Sequence, residues 1–245
     1  MLFYAVSVFS VVAFGFSATA EFTLPVTTCK RNSADYSACL KRALEEAWPR
    51  FIQGLPEYDF PSLDPVLIKH GKLLLTANEL HGEVTGSNIT AIGLAKTRFF
   101  DVRTHFLDDV FRLELDTQVP KVFGKGAVKM DGAVNVFRIL GNGHFNVTAA
   151  DIRGTWTFIG HVVNDTWIVE HFLFLPTVGS LKIYFDLLAE QSKELNDLVV
   201  SFVNEYWPPL YRIILPIMAD FWDPWLVNNI ANKFFSKVSF SELFP

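Results

Sequence analysis

Hydrophobic and polar positions change their rhythm twice along the chain. In residues 35–52, "DYSACLKRALEEAWPRFI", apolar side chains recur at Leu40, Ala43, Ala47, Trp48, Phe51 and Ile52 with charges between them. That spacing predicts an amphipathic helix with Asp35 as its cap, and Pro49 is expected to kink or end the last turn. Over residues 66–188 the period becomes two. In "FRLELDTQV" Phe111, Leu113 and Leu115 alternate with Arg112, Glu114 and Asp116, as a half-buried strand requires. Similar runs follow, punctuated by expected turns at Gly86-Ser87-Asn88, Gly124-Lys125-Gly126 and Gly141-Asn142-Gly143. No long helix interrupts them, so the strands are expected to be sequential neighbours in an antiparallel sheet.

After Pro176 the pattern turns helical again, ending in "YWPPLYRIILPIMADFWDPWLVNNI" at residues 206–230. Apolar side chains occupy nearly every direction around that segment. Pro208 and Pro209 suit a helix start, whereas Pro216 and Pro224 lie deeper and should bend an axis that runs to about Ser236. A helix apolar all round belongs in lipid or inside protein. Only seven residues separate Arg212 from Asp220, against about twenty needed to span a bilayer core. The segment must therefore be enclosed by the β-rich middle, curled into a sleeve that turns ten side chains inward: Trp207, Leu210, Ile213, Ile214, Met218, Phe221, Trp222, Trp225, Leu226 and Ile230. The expected fold class is α+β, with a long C-terminal helix wrapped in a strongly curved antiparallel sheet and a second, N-terminal helix.

Composition narrows the setting. Residues 1–20 form an apolar run ending Ala18-Thr19-Ala20, the small-residue pattern of a cleavable secretory signal. The competing reading is an N-terminal membrane anchor, for which the stretch is short. Residues 21–245 then form one domain. The net charge of −5, without a Lys/Arg cluster, argues against nucleic acid and anionic membranes as partners, and no stable membrane insertion is expected. Two cysteines, Cys29 and Cys39, read as one disulfide in an oxidising compartment. Asn88, Asn146 and Asn164 begin N-glycosylation sequons, and Asn164-Asp165 should form an exposed hairpin tip.

Several stretches then carry a resemblance. "CKRNSADYSACL", "GLPEYDFPSLDPVLI" and the ending "ANKFFSKVSFSELFP", with Asp64-Pro65, Gly93-Leu94, Gly141 to Gly143, Phe234, Phe235 and Glu242-Leu243-Phe244-Pro245, resemble the insect takeout and haemolymph juvenile hormone-binding proteins over essentially the whole mature chain. Hormone-binding members carry further cysteines, so the single pair points to the takeout branch. The resemblance implies a hydrophobic tunnel for a lipid-like or terpenoid ligand. It also implies roles in feeding, circadian output, chemosensation or hormone transport, and a receptor or delivery partner at a cell surface.

Reactive constellations are absent. There is no GxSxG, HExxH, GxxxxGK[ST] or CxxC motif, and "GNGHFNV" reads as a β-turn rather than a nucleotide loop. None of the six histidines pairs at metal-ligand spacing, and Asp108-Asp109 reads as an exposed turn. No catalytic residue, metal or cofactor is expected. The candidate ligand contacts are Trp48, Phe51 and Ile52 on the first helix; Phe145, Trp156 and Phe158, placed on one alternating face of an unbulged strand; and Met218, Phe221, Trp222 and Trp225 on the last helix. For each, plain core packing is the competing reading. The function expected is a secreted, non-catalytic carrier of a small hydrophobic molecule. The alternatives are an extracellular interaction protein with a filled core and a secreted hydrolase.

Overall fold

The computed structural model describes residues 24–77, 80–134, 137–187 and 192–245. The expected signal segment lies outside the described residues. The elements run α1 (Tyr36–Gln53), β1 (Val66–Ala77), β2 (Leu80–Ile92), β3 (Arg98–Leu107), β4 (Val110–Val134), β5 (Phe137–Val163), β6 (Thr166–Leu173), β7 (Thr177–Phe185), α2 (Lys193–Glu205), α3 (Trp207–Leu226), α4 (Asn232–Phe235) and α5 (Phe240–Leu243).

One antiparallel hairpin organises the sheet. Strands β4 and β5 are 25 and 27 residues long and pair from Val110↔His161 to Val134↔Phe137. At about 3.3 Å per residue a flat β4 would extend roughly 80 Å, beyond the diameter of a single domain, so the hairpin has to curl. The free edge of β4 takes β3 along its first half and β2, followed by β1, along its second. The free edge of β5 takes β6 and β7 in the same way. The sheet is a curled half-barrel with the helices on its concave side. Neighbours are mostly sequential, but β2 pairs with β4 and β7 with β5, each skipping one strand.

The three glycine groups expected to be turns lie inside strands β2, β4 and β5, "GNGHFNV" included. In this sheet glycine admits close approach instead of reversing the chain. A Cβ on Gly71 would stand 2.7 Å from the ring of Phe221 in α3, and one on Gly126 would stand 3.0 Å from Ile89. The turns use acidic and amide residues at positive φ. Asn164 and Asp165, at φ 50° and 60°, form the expected exposed two-residue hairpin, and Asp108 (φ 54°) helps reverse β3 into β4. Helix was expected from Pro176 onward, but residues 177–185 form strand β7, paired with β5, and helix begins only at Lys193.

Strand β5 was expected to carry Phe145 and Trp156 on one face by running unbulged. Eleven residues apart, they would then face opposite ways. The pleat changes phase instead. Gly71, against α3, is register-linked through Gly86 and Val128 to Gly143, so that row and Phe145 two residues on share the concave face. Trp156 is also concave, beside the cavity described below. The switch coincides with Asp151, at φ 51°, opposite Pro120. Both strands exchange faces there while the register is kept.

Helix α1 runs through Pro49 to Gln53 and stops at Gly54, which takes φ 90°. Asp35 occupies its N-cap position, but its carboxylate accepts from the Ser33 hydroxyl and the Arg42 guanidinium rather than from a backbone N–H of the first turn. The Cys29–Cys39 disulfide joins the first turn to the preceding chain. Helix α3 continues through a single π-helical stretch, Val227–Ala231, into α4, which is capped at Ser236.

The complete sleeve is corrected. Pro208, Arg212, Pro216, Asp220 and Pro224, each four residues apart, are exposed, and Ile213 is 51% exposed. This stripe of three prolines and two charged residues was not expected from the apolar pattern. On that side the carbonyls of Arg212 and Asp220, deprived of partners by Pro216 and Pro224, can be met by water. The half-barrel covers the rest of the helix only in part: no residue of α3 is fully buried.

Polar side chains join the helices to the sheet edge. Asn232 accepts from the Val169 N–H (2.9 Å) and donates to its carbonyl (2.8 Å), as a neighbouring strand would. Asn204 does the same with Ile183, and Asn196 donates to the Phe185 carbonyl. Asp223 accepts from the Phe172 N–H at 2.6 Å. Strands β6 and β7 thus have edge groups satisfied by helices.

Candidate ligand-binding site

Where the concave sheet leaves α1 on one side and the α3–α4 helix on the other, the interior does not close. A cavity of about 350 Å³ remains. Helix α1 gives it Leu40, Ala43, Leu44, Trp48 and Phe51; the sheet gives Val102, Leu113, Leu115, Trp156, Phe158 and Phe172. The far wall is Trp222, Trp225, Leu226, Ile230, Ala231, Phe234 and Phe235, and Leu243 and Phe244 come from the C-terminal end. Only Thr27 carries a hydroxyl, and no lining side chain is titratable. Thr27 is exposed to solvent, so the cavity approaches the surface beside the Val26–Thr27 segment.

The wall is fixed by edge-on ring packing. Trp48 stands at 81° to Phe99, with centroids 5.1 Å apart, and touches Trp156 at 5.9 Å. Phe51 meets Phe60 and Phe234 at 79° and 82°. The Trp48 indole N–H donates to the Leu94 carbonyl at 3.1 Å. Leu94 is held in turn by Asp64, whose carboxylate accepts from the Gly93 and Ala95 N–H groups at 3.0 and 2.8 Å. The Asp64-Pro65 and Gly93-Leu94 pairs therefore act together, positioning one cavity wall. Beside the wall, burial pushes the Tyr58 phenol up, Glu57 adds to that and Arg50 opposes it.

The C-terminal wall is anchored from both sides. Arg31 donates to the Phe244 carbonyl (2.7 Å) and stacks over Phe106, with its own N–H on the Pro245 carbonyl. The hairpin tip contributes Asp165, which receives Ser239, Ser241 and the Phe240 N–H. The Ser239 and Ser241 bonds hold the Asp165 carboxyl below its ordinary range, while the Phe240 N–H goes to the Asp165 backbone carbonyl.

Six of the ten expected contacts, Trp48, Phe51, Trp156, Phe158, Trp222 and Trp225, stand on the cavity wall. Four do not. Ile52 packs against the core, its carbonyl accepting from Leu63. Phe145 and Phe221 lie along the other half of the trough, and Met218 is half-buried on α3 outside the cavity wall. Missing from the expectation were Leu113, Leu115, Phe172, Phe234, Phe235, Leu243 and Phe244. The strand residues were legible as an inward face; the C-terminal ones were visible only as a motif. The three sequon asparagines are all exposed. Among the described residues no group of three or more His, Cys, Asp or Glu is arranged to hold a metal, and no helix is long and apolar enough to cross a membrane. His105, His161 and His171 instead sit beside single carboxylates: Glu114 at 3.4 Å, Glu170 at 3.1 Å and Asp223 at 3.2 Å.

Fold and cavity define a class: a curled antiparallel half-barrel closed by helices around an apolar interior. The model of the family "Haemolymph juvenile hormone binding protein (JHBP)" matches residues 8–245, and the chain belongs to that family. Among solved structures it is similar to Takeout 1 of Epiphyas postvittana, at 19% identity and a TM-score of 0.68, covering 89% of this chain and 99% of that one. No curated protein matches the sequence.

Proposed function

We propose that the protein is a secreted carrier that takes up a small hydrophobic molecule in its interior and releases it unchanged. One observation carries the reading: a cavity of about 350 Å³ whose lining, Thr27 apart, is apolar. That volume falls within the range of about 300–1,000 Å³ usual for small-molecule pockets. An apolar cavity gives water no hydrogen-bond partners and gains free energy by exchanging it for an apolar guest. The family takes its printed name from hormone binding, which supports a lipid-like or terpenoid ligand, and the single cysteine pair supports the takeout side of the family. A lining without a titratable group offers no acid, base or nucleophile, in keeping with a non-catalytic role. Residues 1–20 act as the cleaved signal, residues 21–245 as the single binding domain, and delivery involves a receptor at a cell surface.

The test is native mass spectrometry of protein secreted by its own tissue, together with titration of a lipophilic fluorophore. A discrete added mass and saturable one-to-one uptake are expected. No added mass and no uptake by folded protein would contradict the reading. The second reading, an interaction protein, is favoured by one observation: Leu195, Leu198, Phe202 and Tyr206 form an exposed apolar stripe on α2 and its end. Substituting that stripe leaves fluorophore uptake intact if the carrier reading holds.

A further inference from the structure

Helix α2 is docked with its polar side inward. Asn196 donates to the Phe185 carbonyl, and Asn204 bonds both the N–H and the carbonyl of Ile183, so the helix hangs from the β7 edge by side-chain amides. Its largest apolar side chains point out. Leu195, Leu198, Phe202 and the C-cap residue Tyr206 recur at three- and four-residue steps along one face, and they are 46%, 66%, 51% and 48% exposed. The Phe202 and Tyr206 rings lie 5.0 Å apart at 33°, a nearly flat aromatic end to the row. A helix fixed only for its own stability would turn these side chains toward the core. The residues one position earlier, Glu194, Asp197, Ser201 and Glu205, are all exposed and form a second row along one flank. Three of those four are acids, and Lys193 is the only basic residue in α2. The opposite flank is Val199 and Val203, both half-buried.

That charge pattern selects the occupant. Two copies of the chain meeting through this face would set the acidic row against itself or against the valine flank, and neither offers a positive charge. An anionic membrane surface repels the row. We propose that α2 is the docking face for a protein partner whose surface combines an apolar groove with a rim of Lys or Arg. The groove takes Leu195, Leu198, Phe202 and Tyr206, and the rim meets Glu194, Asp197 and Glu205. None of these residues lines the cavity, so the docking face is additional to the interior and does not depend on what the interior holds.

The test uses the whole protein and two synthetic helical peptides that share a leucine face, one flanked by lysines and the other by glutamates, with binding read by fluorescence anisotropy. The wild type should bind the lysine peptide at least about tenfold more tightly than the glutamate peptide, and the preference should narrow as salt rises. Leu198→Ser combined with Phe202→Ser should weaken the lysine peptide at least about tenfold without lowering the thermal midpoint. Glu194→Gln, Asp197→Asn and Glu205→Gln together should abolish the preference. If the apolar variant does not fold, the wild-type preference and its loss in the charge variant decide the matter. Vesicles of phosphatidylcholine, alone and with phosphatidylserine, and sedimentation of the protein alone across concentration test the other occupants. Vesicle binding or self-association that the apolar substitutions abolish assigns the face to lipid or to a second copy and overturns the proposal. So does failure to bind either peptide, equal affinity for both, a preference retained by the charge variant, or full affinity retained by the folded apolar variant.

Discussion

Arg103, on β3, joins three carboxylates. It reaches Asp101 at 2.7 Å and Glu114 at 3.0 Å, and grips Asp116 with two nitrogens at 2.6 and 3.0 Å. These bonds push the guanidinium up and hold Asp101 and Asp116 below the usual carboxylate range. For Glu114 burial acts first and upward, but Arg103, Arg112 and His105 together outweigh it and its net direction is down. Depressed carboxylates add stability that is present above their ordinary pKa and is lost as pH falls through the folded value, here below about pH 4. Arg103→Gln should therefore cost about 1–2 kcal/mol at neutral pH, discounted because the arginine side chain is 37% exposed, and should move the acid-unfolding midpoint to higher pH. Urea titrations across pH check both. An unchanged acid limb would mean the cluster contributes nothing to folding. At this scale the sequence showed the alternation that places Glu114 and Asp116 together, but not that Arg103 would face them. That contact depends on the β3–β4 register, which local pattern does not carry.

Helices α2 to α4 hold the sheet edge through side chains that imitate a strand. Asn232→Leu should leave the Val169 N–H and carbonyl unpaired in a half-buried site, costing about 2–4 kcal/mol and speeding amide exchange at Val169. Asn229→Leu is the matched control, because Asn229 bonds only within its own helix, to the Trp225 carbonyl. It should change stability by less than about 0.5 kcal/mol. Equal losses in the two variants, measured by thermal unfolding, would show that the edge bonds add nothing. Elements were legible where one physical rule governs them. The heptad-like face of α1, the two-residue alternation around Leu113 and the paired prolines opening α3 each had one reading. Glycine misled, because Gly126 and Gly141 sit where neighbouring chain approaches closely in a curled sheet, a tertiary cause that imitates a turn signal. Proline was read only as a bend in the axis: Pro216 and Pro224 also mark the solvent face of α3, which that reading did not show.

Over the whole molecule, the sequence indicated a greasy C-terminal helix and a β-rich middle that must meet. It did not show how completely they fill the space between them. The phase change at Asp151 turns Leu113, Leu115, Trp156 and Phe158 toward the helices in one half of the trough, and Phe145 toward them in the other. The cavity forms in the first half, where α1 adds a third wall. Whether large side chains meet or stand apart is decided by separations of a few ångströms, which periodicity cannot encode. The candidate site was therefore readable as a set of aromatic residues and not as an enclosed volume.

The account's central claim is that this volume is where a ligand goes. The most direct measurement compares fluorophore binding by the wild type and by Ala43→Phe, which adds a ring to a wall residue facing the cavity. The account predicts that the variant folds with a thermal midpoint at or above that of the wild type, because the ring fills empty space, and that it binds fluorophore at least about tenfold more weakly. Undiminished binding by folded Ala43→Phe would contradict it.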